Sequence, residues 1–283
     1  MTGAAGQLGR SLIRLAPEHG VEAVGRTHAE LDIADPEAVS RALDALQVDG
    51  VINAAAFTQV DRCEETPEEA MRVNAEGPAV LARALAGVAP LIHISTEYVF
   101  AGKTNRPVRE NQVAKPLSVY GWSKLVGEEA VREQGGAHLI VRSQWLFGPG
   151  TNFVRTILGA ALREPCLWVV EDQIGRPTWT DELAGAILRA ASAGIRGTLH
   201  LACEGIASWY DLAAAAVAEG VRRGWVPPVE VQPIRSADLR RPARRPTYAV
   251  LGLDRARGLG LRLRHWREAL TSYLDARKEA WDA

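Results

Sequence analysis

Long apolar runs are missing from this 283-residue chain, and so is any excess of one charge. No stretch approaches the ~20 apolar residues that a bilayer-spanning helix requires. The net charge of −1 gives no broad basic face for nucleic acid or an anionic membrane. Cysteine is scarce. Cys63, Cys166 and Cys203 are odd in number and far apart, which argues against a disulfide framework and against metal-ligand spacing. No metal site is expected. With no signal peptide ahead of the first motif, a reducing cytoplasm is the expected compartment.

What is present is an alternation. Short apolar runs at 21–24, 51–56, 91–95 and 139–142 are separated by helical patterns at 7–15, 36–46, 67–86 and 118–132. Asp35-Pro36 and Thr66-Pro67 each read as a cap residue followed by proline at the first helical position. Strands alternating with helices predict an α/β fold, a doubly wound parallel sheet with helices on both faces. After Trp145 the rhythm loosens. Helices are expected at 153–162, 181–193, 209–223 and 265–278, with short strands at 167–170, 198–201 and 229–231. Residues 1–145, with returning segments, are expected to form one domain, and 146–283 mostly a smaller C-terminal lobe. The basic, proline-rich stretch 235–246 reads as a solvated loop or as a loop that meets an anionic ligand.

Thr2-Gly3-Ala4-Ala5-Gly6-Gln7-Leu8-Gly9 reads T-G-x-x-G-x-x-G and opens the first helix. Glycines there allow a tight turn, and the helix start presents free N–H groups to a pyrophosphate. In its strand-helix context the loop predicts a Rossmann-type dinucleotide site. The second strand ends in Gly25-Arg26-Thr27, without the acidic residue that commonly binds the ribose 2′-hydroxyl of NAD. Arg26 is either a solvated loop charge or a partner for a 2′-phosphate. The second reading makes NADPH the expected cofactor, with NADH possible. One further thing is missing: no apolar run precedes Thr2. A doubly wound sheet places its first strand centrally, so the expectation is that most of that strand is absent and that the natural start lies upstream.

Tyr120 and Lys124 form a Tyr-x-x-x-Lys pair, with Ser95-Thr96 upstream at the end of an apolar run. Residues four apart share a helix face. A cation held beside a phenol favours the phenolate and lowers its pKa, so the pair is expected to exchange a proton with a carbonyl or alcohol near neutral pH.

Taken together, several segments resemble the extended short-chain dehydrogenase/reductases, and most narrowly the dTDP-4-dehydrorhamnose reductases. They are TGAAGQLG at 2–9, LDI at 31–33, NAAAFTQVDRCE at 53–64, VNAEG at 73–77, STEYVF at 95–100, YGWSK at 120–124, RSQWLFG at 142–148, DQIGRPT at 172–178 and PARRP at 242–246. The resemblance implies a cofactor site of Gly3, Gly6, Gln7, Leu8, Arg26, Asp32, Ile33, Ala54, Ala55, Ala56, Thr58, Tyr120 and Lys124. It implies that Thr96, Tyr120 and Lys124 are catalytic, and that Thr96, Glu97, Tyr120 and Trp145 meet a nucleotide-sugar substrate. The lobe after residue 145 would bind that substrate. Arg176, Arg244 and Arg245 are candidates for its diphosphate. The implied reaction is reduction of a dTDP-4-dehydro-6-deoxysugar, most closely dTDP-4-dehydrorhamnose to dTDP-L-rhamnose, by a monomer or homodimer. Alternatives are a reductase for another deoxysugar such as a dihydrostreptose precursor, an epimerase, or a non-catalytic NADP-binding subunit of methionine adenosyltransferase. Position 97 is Glu where these reductases more often carry Asp.

Overall fold

In a computed structural model, residues 1–276 are described. The first half contains α1 (Gln7–Leu15), α2 (Pro36–Leu46), β1 (Val51–Asn53), α3 (Val60–Glu65), α4 (Pro67–Met71), α5 (Gly77–Leu85), β2 (Leu91–Thr96), α6 (Val119–Glu133) and β3 (His138–Ser143). The second half contains β4 (Leu146–Phe147), α7 (Phe153–Ala161), β5 (Cys166–Val170), β6 (Ile174–Gly175), β7 (Thr178–Trp179), α8 (Thr180–Ser192) and β8 (Gly197–His200). It continues through β9 (Ala207–Ser208), α9 (Trp209–Arg222), β10 (Glu230–Ile234), α10 (Asp254–Gly258) and α11 (Trp266–Asp275). The expected 265–278 helix is therefore seen as far as Asp275, and its last two residues lie outside the described residues.

The main sheet has the order β1-β2-β3-β8, and each neighbouring pair is parallel. Side chains of β3 alternate between its faces. Leu139 and Val141 join a core with Leu8, Leu12, Leu183 and Ile187, under α1 and α8. Ile140 joins a second core with Val39, Leu81 and Val131, under α2, α5 and α6. Both faces are covered, as a doubly wound parallel sheet requires. From β4 onward the chain also forms separate two-stranded pairs: β5 with β10 and β4 with β7 in parallel, and β6 with β9 antiparallel.

Two expectations change. The 67–86 helix is interrupted by a π-helical turn at Arg72–Glu76 between α4 and α5. Such turns concentrate at functional sites. The 21–24 run is not a strand. Its neighbour on the β1 side is only the start of the chain: Thr2 bridges both Arg26 and Asn53, each in parallel. Thr2 N–H donates to the Ile52 carbonyl at 3.0 Å, and Arg26 N–H donates to the Met1 carbonyl at 2.8 Å. The Met1 amino group donates to the Val24 carbonyl at 2.7 Å. Beside these few bonds lies a cavity of about 530 Å³ lined by Val21, Ala23, Val39, Val51, Ile52 and Leu188. The sheet is thus fully laddered from β1 to β8 and thin beyond β1.

Among the described residues, no helix is long and apolar enough to cross a membrane.

Candidate active site

The glycine loop is shaped by contacts that a side chain would destroy. Gly3 has φ +68°, and a Cβ there would stand 2.6 Å from the Ala54 backbone. A Cβ on Gly9 would collide with the Gly3 carbonyl oxygen. Gly6 caps α1 without any side-chain hydrogen bond to the helix start, which leaves the first-turn N–H groups facing outward. Gln7 Oε1 is buried and has no hydrogen-bond partner. This open, positively polarised helix start fits a dinucleotide pyrophosphate. Leu8 is buried against the core.

Arg26 stands half-buried at the end of the 21–26 segment, its Nη1 donating to the Gly25 carbonyl at 3.2 Å. Asp32 accepts from Arg72 Nη1 at 2.6 Å and from Ala34 N–H at 3.0 Å. Burial pushes its carboxyl up, but these bonds outweigh burial and hold it below the usual range. Ile33 is buried, and its side chain lies against Gly77, where a Cβ would come within 2.6 Å of it. Ala54, Ala55 and Ala56 follow β1 half-buried, and Thr58 is exposed beyond them.

Thr96 ends β2 and caps the short turn Glu97–Val99, accepting from Tyr98 N–H at 3.2 Å. Its hydroxyl donates to Glu97 Oε2 at 2.8 Å and lies near enough to the Tyr120 phenol to favour the ionised form. Tyr120 lies in the first turn of α6, which Ser118 caps through the Gly121 N–H at 3.2 Å. Gly121 lets the helix press onto the Tyr98 carbonyl, which a Cβ would strike. The Tyr98 and Tyr120 rings meet edge to face at 5.3 Å. Thr96, Glu97, Tyr98 and Tyr120 therefore form one buried cluster at the carboxyl end of the sheet, where ligands sit in open α/β folds.

Lys124 shares this face of α6 but is not a close cation for the phenol. Its Nζ donates to the Ile94 carbonyl at 2.7 Å and lies 3.4 Å from His93 Nε2. Burial, then the Glu97 carboxylate, push the Tyr120 phenol well above its ordinary value, against the nearby Thr96 hydroxyl. The expected lowering by Lys124 is absent from this arrangement. Helical spacing fixes a shared face, whereas the long lysine stem reaches past the ring to the β2 backbone. Burial also pulls Lys124 down to about 8, against the pull of Glu128. Burial raises Glu97 to about 7, opposed by its bonds from Thr96, its own N–H and the Trp145 side chain.

Trp145 has φ 51°, a costly backbone conformation for a bulky residue. Its ring stacks on Trp209 at 3.9 Å and 12°. Gly175 sits where a Cβ would approach the ring at 2.5 Å. The three candidate arginines separate. Arg176 is buried and its Nε and Nη1 bond the Leu251 carbonyl at 2.9 Å and the Gly205 carbonyl at 2.7 Å, so it braces two loops. Arg245 grips Asp61 through two bonds, at 3.0 and 2.7 Å, and bonds the Tyr98 side chain. That ties 242–246 down over the cluster. Arg244 is exposed.

Several residues of the site were not singled out from the sequence. Asn74, in the π turn, accepts from Phe57 N–H at 2.9 Å and donates to Ser123 Oγ at 3.0 Å, clamping the segment after β1 to α6. Glu128 is buried and bound by Ser95, Arg142 and Arg132. Ser143 Oγ, at the end of β3 in register with Thr96, is buried with no hydrogen-bond partner. The one available signal was helical spacing, which places Glu128 four residues after Lys124.

The RmlD substrate binding domain model matches residues 1–279. The chain belongs to the RmlD substrate-binding domain family. Among solved structures, this RmlD-family chain is similar to a dTDP-4-dehydrorhamnose reductase of Clostridium acetobutylicum, at TM-score 0.92 and 38% identity over 98% of both chains. A Bacillus anthracis dTDP-4-dehydrorhamnose reductase, solved in complex with NADP, matches at TM-score 0.92 and 30% identity over 97% of both chains. A Streptomyces antibioticus relative, a probable dTDP-4,6-dihydroxy-2-methyloxan-3-one 4-ketoreductase, is 42% identical over 95% of this chain and 92% of its own. The RmlD-family protein is an NAD(P)-dependent oxidoreductase of the dTDP-4-keto-6-deoxysugar 4-ketoreductase group.

Proposed function

We propose that the protein reduces the C4 ketone of dTDP-4-dehydrorhamnose to give dTDP-L-rhamnose, with NADPH as the reductant. The observation that carries the reading is the buried cluster of Thr96, Glu97 and Tyr120 at the carboxyl end of β2, one helical turn from Lys124 and at the same end of the sheet as the glycine loop. NADPH, when bound, supplies a hydride; the protein must hold the ketone and supply a proton. Burial keeps the Tyr120 phenol protonated at neutral pH, so it is a donor in the reducing direction. Thr96 Oγ1 orients the ketone oxygen beside that phenol. As the proton leaves, phenolate charge develops in a buried site; Lys124, on the same helix face but bonded to the Ile94 carbonyl, would meet the nicotinamide ribose. Residues 1–145 with returning segments would hold the cofactor, and the lobe beyond would hold the sugar nucleotide. Gly3, Gly6 and Gln7 would meet the pyrophosphate and Arg26 the 2′-phosphate. Trp145, fixed by Trp209 and hydrogen-bonded to Glu97, would cover the apolar face of the deoxysugar.

A second reading, reduction of a different dTDP-4-keto-6-deoxysugar, is favoured by Glu97, a longer acid than these reductases usually carry, and by the Streptomyces antibioticus relative. A panel of dTDP-4-keto-6-deoxysugars assayed with NADPH and with NADH tests both readings. The proposal expects dTDP-4-dehydrorhamnose with NADPH to give the highest kcat/KM. A better second sugar selects the alternative. No oxidation of either cofactor with any sugar contradicts both.

A further inference from the structure

A buried polar chain runs from the glycine loop to the active-site lysine. Thr2 Oγ1 donates to Asn53 Oδ1 at 2.6 Å, Asn53 Nδ2 lies 3.2 Å from His93 Nδ1, and His93 Nε2 lies 3.4 Å from Lys124 Nζ. Asn53 and His93 are fully buried, and Thr2 and Lys124 nearly so.

Hydrogen-bond logic fixes the proton positions along it. Ala55 N–H donates to Asn53 Oδ1 at 3.1 Å, and a backbone N–H can only donate. The Asn53 oxygen therefore faces Ala55 and Thr2, and its NH2 faces His93. That NH2 can only donate, so His93 Nδ1 accepts. A neutral imidazole with Nδ1 unprotonated carries its proton on Nε2. The Nε2–H then points at Lys124 Nζ. An ammonium has no lone pair to receive it, whereas a neutral amine does. A neutral Lys124 amine would donate one N–H to the Ile94 carbonyl and accept from His93, and both contacts are in place.

We propose that His93, held in its Nε2–H tautomer by Asn53, is a positioning residue that biases Lys124 toward the neutral amine. The inference rests on the reductase reading above for its catalytic meaning, though not for its structural content. Other charges act on the pair. Glu128, one turn along α6, favours the Lys124 cation and is itself neutralised by Arg142 of β3 and Arg132. Arg132 and Lys124 both disfavour a charged His93, which burial already holds well below its ordinary value. Tyr120 shares the α6 face with Lys124. The consequence is a lysine whose charge is available only at a cost, on the helix face that carries the Tyr120 proton donor. The same chain ties Lys124 to Thr2, the residue that anchors the glycine loop to β1.

The test is magnetic resonance on the full chain without cofactor or substrate. Labelling with 15N-histidine reports the His93 tautomer, and 13Cε-lysine reports the Lys124 titration. The chain has four lysines, Lys103, Lys115, Lys124 and Lys278, so assignment is direct. The wild type should show His93 neutral with its proton on Nε2, and Lys124 titrating below ordinary lysine. His93→Phe should raise the Lys124 titration by about one pH unit, the shift that the loss of one neutral hydrogen bond gives. Asn53→Asp should move the imidazole proton to Nδ1, turn Nε2 into an acceptor, and raise Lys124 likewise. In turnover, His93→Phe should shift the pH profile of kcat while KM for NADPH stays put. A wild-type Nδ1–H tautomer overturns the proposal, even if both variants fail to fold. So does a Lys124 titration that neither substitution moves. A protein that turns over no 4-keto sugar would sink the functional reading while leaving these spectra as described.

Discussion

The two sides of the main sheet are built to different standards. From β1 to β8, neighbouring strands are in continuous parallel register, six residues long between β2 and β3. Beyond β1, among the described residues, only Thr2 makes bridges, and a cavity of about 530 Å³ lies alongside. The proton-transfer residues stand on the first side, at the end of β2. The glycine loop hangs from the second. The difference shows that a strand is a pairing and not a property of its own sequence: 21–24 has the apolar residues of a strand but too few backbone partners to be one. It also suggests where each kind of damage will register. Substitutions at the end of β2 should change chemistry in an intact fold, and changes beside the cavity should change stability and cofactor affinity.

The largest effect is expected at the well-paired side. Tyr120→Phe should lower kcat by roughly 10²–10⁴-fold, the range of general acid–base catalysis, with the melting temperature and NADPH affinity little changed. Near wild-type turnover would remove Tyr120 as the donor.

Next is Glu97. Burial raises its carboxyl from 4.5 to about 7, so between these values the folded chain binds more protons than the unfolded one. Its contribution to stability is therefore fully present below pH 4.5 and is lost as pH rises through about 7. In urea unfolding, wild type should lose on the order of 3 kcal/mol more stability between about pH 5 and about pH 8 than Glu97→Gln does. Parallel behaviour of the two would mean that Glu97 ionises as an ordinary carboxyl.

The weaker side of the sheet can be repaired instead of broken. A short apolar strand fused ahead of Met1, in register with 21–24 and β1, should fill the cavity. Burying even one large apolar side chain contributes ~1.5–3 kcal/mol, which corresponds to a rise in melting temperature on the order of 5 °C for a chain of this size. NADPH should also bind more tightly, because the loop is then aimed by a full strand. An unchanged melting curve would show that the cavity takes no strand.

The smallest effect is at the edge of the same region. Arg26→Ala should raise KM for NADPH by about tenfold, the loss of one phosphate hydrogen bond, and leave KM for NADH nearly unchanged. Equal effects on both cofactors would take Arg26 away from the 2′-phosphate.

Much of this was legible in the sequence, for identifiable reasons. The helices at 7–15 and 36–46 are bounded as expected, because a glycine turn and an Asp-Pro cap mark their starts locally. The cluster of Thr96, Glu97, Tyr98 and Tyr120 follows from motif positions at the carboxyl end of a strand and the first turn of a helix. What sequence did not reveal is where long side chains go once buried. Lys124 reaches a backbone carbonyl, and Arg176 braces two loops. Those outcomes depend on elements distant in the chain, as does the π turn that brings Asn74 to Phe57. His93 looked like one more residue of an apolar strand, and its role needed Asn53 beside it.

The most direct measurement follows a label. The protein is incubated with NADPH deuterated at the transferable C4 position and with dTDP-4-dehydrorhamnose, and the sugar product is read by nuclear magnetic resonance. The account predicts one deuterium at the sugar C4, stoichiometric with oxidised cofactor, and its loss to a slow trace in Tyr120→Phe. Deuterium returned to the cofactor with no net oxidation, or no label at C4, would contradict a ketoreductase built on Thr96, Tyr120 and Lys124.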